Sequence, residues 1–101
     1  MPDKSEEGQH EIICEDVMDI SAVAGLKSQL VEALESGLPV VLDAKQVERA
    51  DTAALQLLSA FFQDASAKKQ DIQWRAPSEA LSRSSALLGL SELLHLEDTL
   101  H

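Results

Sequence analysis

The chain has 101 residues, 45% of them hydrophobic and 26% charged, which suffices for one modest core and is too apolar for a disordered segment. Its formal net charge is -10, from 18 acids against 8 bases. Such a surface repels phosphate backbones and anionic lipid, which argues against nucleic-acid binding and favours a protein partner with a basic face.

No apolar run approaches bilayer-spanning length, so direct membrane insertion is not expected. The polar start MPDKSEEGQH has neither the basic beginning nor the apolar middle of a signal peptide, and a cytoplasmic location follows as the expectation. Residues 1–9 are expected to be a flexible N-terminal segment, with one domain over 10–101. His10 to Glu15 (HEIICE) reads as a short strand. Cys14, the only cysteine, lies in its apolar run and is read as a small buried hydrophobe.

Asp19-Ile20-Ser21 offers caps for a helix whose apolar positions Val23, Leu26, Leu30, Val31 and Leu34 recur at three- and four-residue steps. Gly37 ends it and Pro39 follows. Pro39 to Ala44 is short and nearly continuous in apolar residues, as suits a central strand. A link follows, and from Thr52 the stripe Ala54, Leu57, Leu58, Phe61, Phe62 and Ala65 keeps helical spacing. Lys68 and Lys69 suit the negative end of that helix.

Asp71 to Ala76 alternates, with Ile72, Trp74 and Ala76 on one face, and reads as a further strand. Trp74 belongs to the core on this reading, and Arg75 to solvent or to the rim of a site. Ser78 caps a third helix, lined by Leu81, Ser85 and Leu88 and closed by Gly89, after which Leu90 folds back. Ser91 caps a last turn through Leu94, and His95 to Leu100 forms a strand or lies extended. Strand and helix alternate throughout, which specifies an α/β fold: a small mixed, largely parallel sheet with helices packed against it. No spacing among the three histidines, Cys14 and the acids resembles a metal site, and no cofactor motif is present.

The stretch VERADTAALQLL, residues 47–58, invites three readings. Asp51 or Thr52 can cap the helix, worth about 1 kcal/mol. A carrier protein would bear a prosthetic arm on a hydroxyl after aspartate, but such domains are helical and this chain has strands. An enzyme would use Thr52 or Cys14 as nucleophile, yet no histidine is placed to suggest a base.

The run VVLDA, a link, then ADTAALQLL, continued by DIQWRAPSEALSRSSALLGL, resembles the STAS domain of sulfate transporters and anti-sigma factor antagonists. The likeness covers roughly residues 38–96. It implies a noncatalytic, STAS-like protein-interaction module. Thr52 matches the hydroxyl that is phosphorylated by a partner kinase or presented to a partner protein, Asp51 the acid before it, and Asp43 the aspartate closing the central strand. Glu48 and Arg49 belong to the supporting switch loop. Ala53 and Ala54 stand where the family usually has a small residue and then glycine, a departure that makes this turn less free. The implied partner is an anti-sigma or kinase-like protein, a chemosensory protein, or, for a STAS subunit of a phospholipid-transporting ABC system, its ATPase; a homodimer is also compatible.

Overall fold

A computed structural model describes residues 8–96; expectations for residues 1–7 and for a last strand reaching Leu100 lie outside the described residues. Strand β1 (His10–Ile13) is followed by the two-residue β2 (Val17–Met18) and helix α1 (Ile20–Ser36). Then come β3 (Val40–Asp43), the two-residue β4 (Arg49–Ala50), α2 (Thr52–Ala67), β5 (Ile72–Arg75) and α3 (Glu79–Leu87).

The sheet has the order β1-β3-β5, and both of its pairings are parallel. Register places Ile12 beside Leu42 and Leu42 beside Trp74. Because side chains alternate across a strand, this row faces the helices. Ile12 and Leu42 are buried there, among Leu30 of α1, Leu55, Leu58, Phe61 and Phe62 of α2, and Leu81 of α3. The other face carries Glu11, Ile13, Val41, Asp43, Gln73 and Arg75, of which only Asp43 is buried. The expected order of elements holds, and the fold is α/β with a parallel sheet and three helices packed against it.

Helix α1 begins at Asp19, whose Oδ1 accepts from the Ser21 N–H at 3.0 Å and from its hydroxyl at 2.6 Å. These bonds, the hydroxyl's foremost, hold the Asp19 carboxyl below the usual carboxylate range. The helix stops at Gly37, whose φ of 70° lies in the left-handed region that costs other residues. Ser78 caps α3 as expected, accepting from the Leu81 N–H at 3.1 Å. After α3, the Leu90 N–H reaches back to the Ser85 carbonyl at 2.8 Å, and Leu90 packs against the core.

Several local expectations give way to packing. Val31 and Leu88 are exposed rather than inward, whereas Leu55, outside the expected stripe, is fully buried. Ala76 leaves the strand, with a φ of 48°. Ser91 does not cap a turn with its side chain; its hydroxyl is buried without a hydrogen-bond partner among the described residues. The turns that follow α3 instead insert Leu94 and Leu96 into the core, and the Leu94 carbonyl accepts from Trp74 Nε1 at 2.8 Å. Trp74 is a core residue, stacked on Phe62 at 5.8 Å between ring centroids.

Candidate functional site

The link after β3 is organised from its first residue. Asp43 is only 5% exposed and its Oδ1 accepts from the Lys45 N–H at 3.2 Å. Val47 bonds back to the Ala44 carbonyl, and Gln46 Nε2 donates to the Cys14 carbonyl at 2.8 Å. Glu48 and Arg49 both direct their N–H groups at the Asp16 carbonyl, at 2.7 and 3.1 Å. What reads from sequence as a plain link therefore ends in β4, which pairs in parallel with β2, Val17 beside Arg49 and Met18 beside Ala50. The Asp51 N–H extends this ladder to the Met18 carbonyl at 3.0 Å.

That anchorage sets the start of α2. Asp51 occupies the N-cap position, and its carbonyl accepts the first helical bond, from Leu55, at 3.1 Å. Its side chain makes no capping bond; Oδ1 turns to Arg49 Nε at 3.1 Å instead. Thr52 is the first helical residue, exposed, and its hydroxyl has no partner among the described residues. The capping expectation thus fails for both side chains, because β4 anchors the backbone and Arg49 competes for the carboxylate. Ala53 is half-buried, while Ala54 is 1% exposed and directs its methyl inward. The Ala54 methyl, where the STAS resemblance implies glycine, therefore faces this protein's own interior.

Of the residues singled out from sequence, Glu48, Arg49 and Thr52 are exposed and Asp51 half-exposed; Arg49 pairs with Asp51, and Asp51 and Thr52 line one depression. Asp43 is buried and acts on the link through the Lys45 N–H. Arg75 is not simply solvated: its guanidinium pairs with Glu11 and lies 3.9 Å from Asp43 Oδ2, tying the sheet's outer face across three strands.

Helix α3 lies against β4, and it completes the surface with residues the sequence reading did not find. An open depression of about 460 Å³ is lined by Ala50, Asp51, Thr52, Ala53, Ser84, Leu87 and Leu88. Leu87 is 81% exposed and Leu88 44%. The available signal was two successive leucines, Leu87 at the end of α3 and Leu88 at its cap, which successive helical positions do not turn to one face. Apolar side chains this exposed beside a free hydroxyl suit contact with another macromolecule. Among the described residues no group of three or more His, Cys, Asp or Glu could hold a metal ion.

The parallel sheet with three helices against it is consistent with the STAS fold, whose domains serve as general protein-interaction or signalling modules. The chain belongs to the STAS family: the family model described as "Mlab, STAS domain" matches residues 8–96. STAS domains are generally non-catalytic. No curated protein matches the chain.

Proposed function

We propose that the chain is a noncatalytic signalling switch of the anti-sigma-factor-antagonist or chemosensory-associated kind, whose partner docks over the start of α2 with Thr52 at the centre of the contact. The observation that carries this reading is the exposed, unpartnered Thr52 hydroxyl beside Leu87 and Leu88. A neutral hydroxyl with apolar neighbours can be covered by a partner at little desolvation cost. A phosphoryl group there adds about -1.5 to -2 charge, next to Asp51, and a covering surface must then desolvate a dianion. Phosphorylation by a partner kinase accordingly acts as a release signal.

A second reading is the STAS subunit of a phospholipid-transporting ABC system, docked on its ATPase. The threonine directly after Asp51 supports it, as does the exposed leucine pair, which suits a lasting interface that needs no phosphoryl transfer.

Co-purification of the chain with its partner from its native cell, with mass spectrometry of Thr52, separates the two: a kinase or anti-sigma partner with modified Thr52, or an ATPase with unmodified Thr52. Calorimetric titration of that partner then tests the site common to both. Thr52→Glu weakens binding more than Thr52→Ala, because glutamate adds a charge to be desolvated and alanine removes only a hydroxyl. Binding by Thr52→Glu equal to wild type removes Thr52 from the contact.

A further inference from the structure

A second concavity is lined by the chain from Ile13 through β2, by the first turns of α1 and by Ala54 of α2. It encloses about 290 Å³, near the small end of the range of roughly 300–1,000 Å³ usual for ligand pockets. Its buried floor comes from Cys14, Met18, Leu26 and Ala54. Its lip carries Ile13 and Val17, 58% and 38% exposed.

Gly25 of α1 lines the same space. It sits mid-helix, where glycine is less stable than alanine, and it does not have a left-handed φ. A methyl built on it meets nothing within 4 Å among the described residues. Close packing of backbones, the usual structural reason for such a glycine, is therefore absent. What the missing side chain does leave is room at this concavity.

The polar part of the lining is one-sided. Glu15 and Asp19, the latter already accepting from Ser21 through Oδ1, are its acidic residues, and Ser21 and Gln29 its neutral polar ones. Among the described residues no basic one lines the space. An anionic amphiphile would set its head against two carboxylates. A cationic head meets opposite charge while its hydrocarbon covers Met18, Leu26 and Ile13.

We propose that this groove is a binding site for a small amphipathic amine, its hydrocarbon in the apolar floor and its ammonium at Glu15 and Asp19. The proposal is independent of the role of Thr52.

The test uses the full chain and n-octylamine as probe, read by amide proton–nitrogen correlation spectra. Saturable shifts of the Met18, Gly25 and Ala54 amides are expected, with octanoate binding about tenfold or more weakly under the same conditions. Gly25→Leu fills the groove and abolishes the shifts; Gly25→Ala, which keeps the helix intact, weakens binding while the melting temperature stays or rises. Glu15→Gln narrows the gap between the amine and octanoate. Absence of saturable shifts at these amides overturns the proposal, as does equal binding of octanoate, or wild-type binding by folded Gly25→Ala.

Discussion

Thr52 and Cys14 are the candidate nucleophiles of the chain, and their surroundings treat them oppositely. Thr52 is exposed and caps nothing, so Thr52→Ala removes no intramolecular bond, and alanine is the better helix former. Its unfolding free energy should stay within about 0.5 kcal/mol of wild type in a urea titration. A larger loss would mean that the hydroxyl serves the fold after all.

Cys14 is 1% exposed, and burial, followed by the nearby Asp43 carboxylate, pushes its thiol from 9.0 up to about 11. Below pH 9.0 the thiol is protonated in both folded and unfolded chains. Above it the unfolded chain releases the proton first, so stability falls as pH rises towards 11, by an amount on the order of 2–3 kcal/mol. Unfolding at about pH 8 and about pH 10.5 should show a steeper alkaline loss for wild type than for Cys14→Ala. Equal losses would place the thiolate in a solvated setting. The same burial makes Cys14 a poor nucleophile at neutral pH.

At the scale of elements, α1 contains Gly25 and is stopped by Gly37, two glycines with opposite consequences. Gly25 is mid-helix with open space around it, so Gly25→Ala should stabilise by roughly 0.5–1 kcal/mol. Gly37 stops the helix at a φ of 70°, and Gly37→Ala should destabilise by roughly 1–2 kcal/mol, although the new methyl has space. Thermal melts of the two variants should therefore move in opposite directions. Equal shifts would mean that helix propensity and left-handed strain do not govern this helix.

The β2–β4 ladder is the element that positions the candidate site, and it is two residues long on each side. A pair that short carries no period, which is why residues 46–50 read as a link. The hydrogen bonds of Glu48, Arg49 and Asp51 to the chain around Asp16 and Met18 hold it. They hand the first turn of α2 a defined direction without help from a capping side chain.

Across the whole molecule, the turns after α3 complete the core from a distance. Leu94 and Leu96 are fully buried, and Trp74 is hydrogen-bonded to the Leu94 carbonyl. Leu94→Ala should cost about 2–5 kcal/mol and shift the emission of Trp74, the only tryptophan, to longer wavelength. An unchanged spectrum and melting temperature would show that these turns are not integral to the fold. The charge of -10 acts at the same scale: it is long-range, screened by salt, and should make association with a basic partner weaken as ionic strength rises.

The sequence by itself determined the alternation of strand and helix, the central place of β3, the parallel sheet, the ends of α1 at Asp19 and Gly37, and the family likeness around Asp51 and Thr52. Those features are written in short-range chemistry: apolar period, capping oxygens, and glycine where the chain turns left-handed. Tertiary structure alone decided that Asp51 gives its carboxylate to Arg49, that Arg75 reaches Glu11 across the sheet, and that Leu55 turns in while Leu87 and Leu88 turn out beside Thr52. It also opened the groove at Gly25. Each of these depends on what another part of the chain places opposite, and exposure is a property of that pairing rather than of any local pattern.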